Sequence, residues 1–274
     1  MPQVHATAIV GKQVELADDV MVGPHCVLEG RITVGPGTKL VHHVSLQGPL
    51  TIGRGNILYP NVCLGFAPQD RKFDRDHDGA GLVIGDENIL REGFTAHRGT
   101  KDRPTTIGSR NYLMCNTHVG HDTHLGDGVT MANGALLGGH VEVQDAVNLG
   151  GMSGIHQFCR VGRLSMASAC TFITQDLPPF CVVYATKTVG SLNVVGLRRA
   201  GLGRHLGPLK IAFDLIFRSR LTRATAVERI LAEVGDDPLC VELAEFVRSS
   251  KRGITGYGGR RGDVAEPDAV DALG

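Results

Sequence analysis

Tryptophan is missing from this 274-residue chain, and aromatic residues make up only 5% of it. A core built on large rings is therefore excluded, and small aliphatics must do the packing. Net charge is missing too: 28 Lys and Arg balance 28 Asp and Glu. That removes any general pull toward nucleic acid or an anionic membrane. No apolar run approaches the roughly 20 residues that span a bilayer, so no membrane insertion is expected. No apolar N-terminal stretch reads as a signal peptide, because patterned sequence already begins at Val4. The expected location is cytoplasmic. The seven cysteines form no CxxC pair, which argues against a disulfide framework and against a zinc ribbon.

What is present is a repeat. Val4, Val10, Leu16, Val22, Leu28, Val34, Leu40, Leu46, Ile52, Leu58 and Leu64 recur every six positions. A second run holds Ile107, Leu113, Val119, Leu125, Met131, Leu137, Val143, Leu149, Ile155, Val161, Ala167 and Ile173. Glycine often follows directly, as in Val22-Gly23, Leu137-Gly138 and Val161-Gly162. Neither the helical period of 3.6 nor the strand period of 2 sustains a repeat of six. The pattern marks a parallel β-helix of hexapeptide repeats, in which short strands wind into a triangular prism. Three hexads make a coil, so each residue should stack on the one 18 further on. Positions four after each aliphatic, from Asn111 and Thr117 to Cys159, Ser165 and Thr171, are almost all small, as a narrow prism requires. Cys26 and Cys159 read as packing residues of this kind. Coils about 4.8 Å apart give a rod near 45 Å long for nine or ten turns.

The register slips twice. Gly65 to Gly85 reads as a coil plus two residues, and Gly85 to Gly108 as a coil plus five. The excursions fall near 66–82 and 99–105, and long loops leaving a rigid scaffold are often functional. Residues 1–190 are thus assigned to the prism. From 191 to 252 the pattern turns helical, with apolar residues at three-to-four spacing. Between Gly196 and Ile230, eight Lys and Arg face two Asp and Glu, which suits either an acidic partner or a solvated face. The Gly/Arg/Asp/Pro-rich tail, 253–274, has little to bury and is expected to be disordered.

Twelve histidines is a high count, and none occupies an inward position of the hexad. Adding 18 to His121 reaches Gly139, and adding 18 to Asp122 reaches His140. Gly138 leads likewise to His156, while His97 plus 18 plus five reaches Gly120. His97, His121, His140 and His156 should therefore lie along one outer strip. Such a strip is either an active site or a row of exposed corner residues. As a site, a neutral imidazole suits general base work near pH 7. A stacked glycine leaves room for substrate and offers an N–H to a developing oxyanion. The outside of one prism is convex, so a cleft would need two prisms side by side, and closed symmetry then suggests a trimer.

The segments NTHVGHDTHLGDGV, LGGHVEV and GGMSGIHQFCRVG, with AHRGT at 96–100, PQDRK at 68–72 and SLNVVGLRRAG at 191–201, closely resemble the UDP-N-acetylglucosamine O-acyltransferases of lipid A biosynthesis. The resemblance runs from VHATAIV to about residue 254. It implies a left-handed β-helix followed by a C-terminal α-helical domain, a handedness that the spacing does not itself give. It further implies a cytoplasmic homotrimer with active sites between subunits and no cofactor or metal. The implied reaction moves an R-3-hydroxyacyl group from acyl carrier protein to the 3-hydroxyl of UDP-N-acetylglucosamine. By the same resemblance His121 is the general base, Asp122 orients it, and Gly139 is the oxyanion donor. Asp70, Lys72, His118, His140, His156, Gln157, Asn193 and Arg199 match substrate-binding positions. The basic stretch 196–230 gains a candidate partner in the acidic carrier protein. Ala169 stands where some relatives have glycine beside the acyl tail, and its methyl is expected to shorten the accepted chain. Arg71 replaces the aliphatic of the QDLK-type motif, and Gly79-Ala80-Gly81 lengthens the loop after Lys72, which puts the sugar contacts of that loop in question.

Three alternatives remain at this level. An N-acyltransferase acting on the 3-amino analogue of the sugar would use the same base. A zinc hydratase of the γ-carbonic anhydrase type would need three converging imidazoles, and His118-x-x-His121-x-x-His124 invites the idea, although hexad positions three apart point in different directions. A non-catalytic scaffold would have no use for the GHD and HQFC segments. The next acyltransferase of the pathway carries an N-terminal uridine-binding domain, for which a repeat starting at Val4 is expected to leave no room.

Overall fold

The computed structural model describes residues 1–74, 76–184 and 188–258. Short strands follow one another at about six-residue spacing and fall in turn into three sheets of 11, 9 and 8 strands. The first sheet starts at Gln3–Val4, the second at Ile9–Val10 and the third at Val14–Leu16. Each strand pairs in parallel with the strand one coil on: Gln3 with Met21, Ile9 with Val27, Val14 with Ile32. The chain is a parallel β-solenoid whose successive coils stack at a sequence separation of 18.

The hexads explain why. One aliphatic per strand points inward, and those from Val22 to Leu64 and from Ile107 to Ile173 are all buried. Val4, whose strand pairs on one side with Met21–Val22, remains 44% exposed. The second inward position is filled by small or amide side chains in the later coils and by some larger apolar ones earlier, among them Ile32, Leu50 and Phe94. Asn56, Asn88 and Asn111 form a ladder in which each Oδ1 accepts the backbone N–H of the next coil, ending on Val129 at 2.6 Å. The Asn56 and Asn88 amide nitrogens donate in turn to the Gly85 and Gly108 carbonyls, whereas Asn111 Nδ2 is buried without a partner; the stacked Oδ1 acceptors fix the coil register.

The first excursion is larger than the glycine count implies. Ile57 pairs with Lys39 on one side and with Ile89 on the other. Asn56 and Asn88 stack at a sequence separation of 32, where Thr38 and Asn56 stack at the ordinary 18, so this one coil holds nearly twice the usual length of chain. Reading Gly65 to Gly85 as one coil fails because Leu64 lies in the second sheet and Ile84 in the third. The second excursion adds five, since Thr95 meets His118 at a separation of 23 in place of 18. The two loops hold each other through an antiparallel bridge between Gly81 and Gly99. Buried Arg98 donates to the Gly65 carbonyl at 2.9 Å and to Gln47 Oε1 at 3.2 Å, and reaches the first loop at the His77 carbonyl, 3.5 Å away.

Beyond Ile173 the strand Cys181–Tyr184 continues the first sheet, and Thr188–Leu192 turns back antiparallel to it. Four helices follow: α1 (Val194–Arg199), α2 (Leu206–Phe217), α3 (Arg223–Val234) and α4 (Pro238–Ser249). The starts of α1, α3 and α4 are capped by Asn193, Thr222 and Asp237, the last followed by proline at the first helical position. Arg163 joins the prism to α4 by a two-pronged pair with Glu242 at 2.6 and 2.7 Å, and Arg160 lies 4.1 Å over the Phe246 ring. Disorder from 253 onward is corrected in part: Ile254 bridges to Asp176, Tyr257 bridges to Val189, and Ile254 is buried. The rest of that expected tail, 259–274, lies outside the described residues. No described helix is long and apolar enough to cross a membrane.

Candidate active site

The histidines collect where the chain turns from the second sheet to the third. Strand His118–Val119 ends in the second sheet, and strand His124–Leu125 opens in the third. Between them Asp122 adopts φ +59°, a left-handed conformation that an aspartate tolerates better than most residues. That turn aims its carboxylate back at the preceding ring, and His121 Nδ1 lies 2.7 Å from Asp122 Oδ2. The carboxylate is nearly enclosed, with its side chain 11% exposed.

The second excursion completes this pair. Thr100 donates to Asp122 Oδ1 from its backbone N–H at 2.8 Å and from its hydroxyl at 3.2 Å, while Thr105 Oγ1 accepts the Asp122 N–H at 2.8 Å. Burial alone would raise the Asp122 carboxyl, but hydrogen bonds from His121 and Thr100 outweigh it and hold the group below its usual value of 3.8. An ionised carboxylate can only accept, so His121 Nδ1 carries the proton. Its Nε2 is then left with the lone pair when the ring is neutral.

One coil on, Gly139 lies against that ring. A Cβ built there would approach His121 Cε1 to 2.7 Å and Nε2 to 2.8 Å, so only glycine fits. Among the described residues its N–H has no protein acceptor. His140, also left-handed at φ +59°, places its ring centroid 5.3 Å from that of His121 and stacks flat on Phe158 at 4.5 Å. Its Nε2 is 3.6 Å from Asp122 Oδ2. Ligand atoms of His121, Asp122 and His140 lie within 4.8 Å of one another, a set able to hold a metal ion. The short His121–Asp122 hydrogen bond already uses one ligand atom of each.

Two clefts flank this edge. A groove of about 440 Å³ contains His121, Gly139, His118, His97, His156 and Gln157, and Gln69 reaches its rim from the first excursion. A larger cleft, about 810 Å³, lies on the side of the third sheet and touches Asp122 and His140 together with Arg103, Arg160 and Arg252. Only the smaller groove brings the His121 ring and the free Gly139 N–H together. Burial pushes His118 down to about 4, with further lowering from His97 and His121. His97 is lowered in the same way, by burial, then His121, then Arg98. Their neighbours therefore see uncharged rings at neutral pH. His118 is held by Thr95 at 2.8 Å.

The remaining expected residues divide. Asp70 and Lys72 are exposed on the first excursion, where Asp70 Oδ1 accepts the Lys72 N–H at 2.9 Å, and neither lines the groove. Asn193 caps α1 and donates to the Leu164 carbonyl at 2.8 Å. Leu164 lies in the turn from third sheet to first, so Asn193 and Arg199 belong to a different edge of the prism. Ala169 is exposed at the remaining edge, between first sheet and second. Within one chain, none of these three lines the groove. Phe158, Leu136 and Phe172 were absent from the sequence expectations, yet one further step of 18 from His140, His118 and Gly154 reaches each. Thr100 follows no such rule, because it belongs to the inserted residues.

A prism of hexapeptide coils, with an imidazole–carboxylate pair beside a bare backbone N–H, defines the class of hexapeptide-repeat acyltransferases. Family descriptions agree in both regions: "Bacterial transferase hexapeptide (six repeats)" matches residues 104–139, and "Udp N-acetylglucosamine O-acyltransferase; Domain 2" matches 176–255. The chain is 36% identical over 258 residues to the acyl-[acyl-carrier-protein]--UDP-N-acetylglucosamine O-acyltransferase of Thermodesulfovibrio yellowstonii, covering 93% of this chain and 99% of that one. It is 41% identical over 263 residues to the protein of the same name from Syntrophobacter fumaroxidans, covering 92% and 99%. The crystal structure of the Francisella novicida UDP-N-acetylglucosamine acyltransferase superposes with a TM-score of 0.90 at 29% identity, over 96% of this chain and 100% of that one. The chain belongs to the UDP-N-acetylglucosamine O-acyltransferase family.

Proposed function

We infer that this protein transfers an R-3-hydroxyacyl group from acyl carrier protein to the 3-hydroxyl of UDP-N-acetylglucosamine, the first step of lipid A biosynthesis. The observation that carries the reading is the His121–Asp122 pair facing the groove with the Gly139 N–H beside it. His121 Nε2 takes the proton of the sugar hydroxyl as its oxygen attacks the thioester carbonyl. The tetrahedral oxyanion is stabilised by the Gly139 N–H, and on collapse the departing thiolate receives the proton from His121. Asp122 holds the tautomer and favours the imidazolium that forms transiently. His118, His156 and Gln157 line the groove where the acceptor would lie, with His140 at its edge.

The distribution of the other residues favours a homotrimer with sites between subunits. Asn193 and Arg199, on another edge, would meet the nucleotide of a neighbouring protomer's site, where Arg199 suits phosphate oxygens. Asp70 and Lys72 project outward from a loop whose Gln69 already reaches the groove. Ala169 would reach the acyl tail in the same way, from a neighbour. In the helical region Arg218 and Arg229 are paired with Asp214 and Glu233; with Arg199 turned to the nucleotide, Arg198, Arg204, Lys210, Arg220 and Arg223 remain as the basic surface offered to acidic acyl carrier protein. The reading implies a cytoplasmic enzyme that works without a metal. An acyl-transfer assay with His121→Ala beside wild type tests it, and a fall of roughly 10²–10⁴-fold is expected from loss of a positioned base. Retention of most activity would remove His121 from the mechanism. Running the 3-amino analogue of the sugar beside UDP-N-acetylglucosamine decides between O- and N-acylation.

A further inference from the structure

Four histidines, His5, His25, His42 and His43, stand apart from the active site, at the corner where the first three coils turn from the first sheet to the second. His25 and His43 occupy the same position of successive coils, both exposed and both with left-handed backbone, φ +57° and +53°. The turns are fixed: the His25 N–H donates to Thr7 Oγ1 at 3.1 Å and the His43 N–H to the Pro24 carbonyl at 3.0 Å. The residues that follow them, Cys26 and Val44, are fully buried, which anchors the corner in the core. His42 and His43 bring two ring nitrogens face to face, Nδ1 to Nδ1 at 2.9 Å, with the rings nearly perpendicular at 85°. Two imidazoles on one ion, with metal–nitrogen bonds of about 2.0–2.1 Å, have ring centroids about 4.5–5.2 Å apart. The centroids of His42 and His43 are 5.1 Å apart, and those of His25 and His43 are 5.0 Å apart.

We propose that His42 and His43 chelate a divalent transition-metal ion through their Nδ1 atoms, at a site separate from the catalytic one. Nδ1 atoms 2.9 Å apart, on bonds of about 2.0–2.1 Å, subtend about 90° at the ion. That is the angle between neighbouring ligands of a square-planar or octahedral centre, which favours Cu²⁺ or Ni²⁺ over tetrahedral zinc. Both rings bind as neutral ligands, with the proton on Nε2. In the metal-free protein one of the facing nitrogens donates to the other, and the ion takes the place of that proton. Water completes the coordination, and His25 stands beside His43 as a further imidazole. The site is three coils from His118 along the second sheet, by way of Ser45, Cys63 and Thr95. That is about 14 Å at a coil spacing of about 4.8 Å, and the corner is not the one that carries His121. The ion therefore takes no part in acyl transfer.

The set of His121, Asp122 and His140 can also hold an ion, so the test uses the full chain as wild type and as His121→Ala. Cu²⁺ and Ni²⁺ are each titrated alone and followed by calorimetry, and electron paramagnetic resonance of the Cu²⁺ form counts its nitrogen ligands. His121→Ala should still bind a Cu²⁺ ion through at least two imidazole nitrogens. Adding His42→Gln or His43→Asn to it should weaken that binding about 100-fold or more, since even the outer partners of metal ligands are worth about 10–100-fold. Asparagine tolerates the left-handed turn at position 43, and the thermal midpoint measured without metal should not move in either variant. As single substitutions, both should transfer acyl groups at the wild-type rate. Unchanged copper affinity and spectrum in both double variants overturn the proposal, as does loss of all strong binding in His121→Ala alone.

Discussion

Replacing Gly139 with alanine isolates the position of the His121 ring from every other contribution to catalysis. The backbone N–H remains, and the only addition is a methyl that would sit 2.7 Å from Cε1, 2.8 Å from Nε2 and 3.2 Å from Nδ1 of His121. Carbon atoms rest at about 3.5–4.0 Å, so the ring must retreat by roughly 0.8 Å or more. It cannot do so freely, because Nδ1 is bonded to Asp122 at 2.7 Å and Asp122 is itself fixed by Thr100 and Thr105. A misplacement of about 1 Å costs on the order of 10²-fold in rate, so kcat/KM for acyl transfer should fall about 100-fold. The turn is at the surface of the prism, and the melting temperature should change by no more than a few degrees, about the effect of 1 kcal/mol. Gly151→Ala is the control, since a Cβ there meets nothing nearer than the Asn133 carbonyl at 3.4 Å, and its activity should equal that of wild type. A Gly139→Ala enzyme within about threefold of wild type would refute the reasoning, because the ring would then not need its observed position.

Acid stability should reveal the buried histidines. His118 is held down to about 4 from 6.5, so the unfolded chain binds the extra proton between those values and stability falls as pH drops through that window. The loss attributable to His118 is at most about 3 kcal/mol. Asp122, depressed from 3.8, loses its contribution only below that window. Urea midpoints at pH 7 and pH 4.5 should converge in His118→Asn relative to wild type; parallel shifts in both proteins would contradict the assignment. Asp237→Ala removes the cap of α4 and the partner of buried His205 Nδ1 at 2.8 Å. A loss of about 1–3 kcal/mol is expected in thermal or urea unfolding. Treatment with a chelator should leave acyl transfer unchanged, whereas lost activity restored by zinc would contradict the metal-free mechanism and point to an ion at the His121, Asp122 and His140 ligand set.

The solenoid was legible because a hexad repeats one physical requirement, an inward aliphatic per strand, and errors in it would show at once. The same arithmetic brought His121 to Gly139 and Asp122 to His140, and it stops where residues leave the repeat. Thr100 holds the carboxylate from an insertion whose geometry no period encodes. The length of the first excursion was misread because Gly65 and Gly85 look alike in sequence yet turn different corners. Phe158 and Phe172 were within reach of the coil count, but outward aromatics at those positions carry no signal until the groove beside them is seen. Residues 253–258 are held by backbone hydrogen bonds to Asp176 and Val189, with the Tyr257 ring against Phe213 and Phe217 of α2, contacts that leave no periodicity to read in a short Gly-rich segment.

A crystal structure of the enzyme with UDP-N-acetylglucosamine bound measures the central geometry without relying on rates. The sugar 3-hydroxyl oxygen should lie within hydrogen-bond reach of His121 Nε2, about 2.6–3.2 Å, on the side of the groove that faces the Gly139 N–H. A sugar bound in the larger cleft beside Arg103 and Arg252, with His121 Nε2 contacting only solvent, would contradict the account.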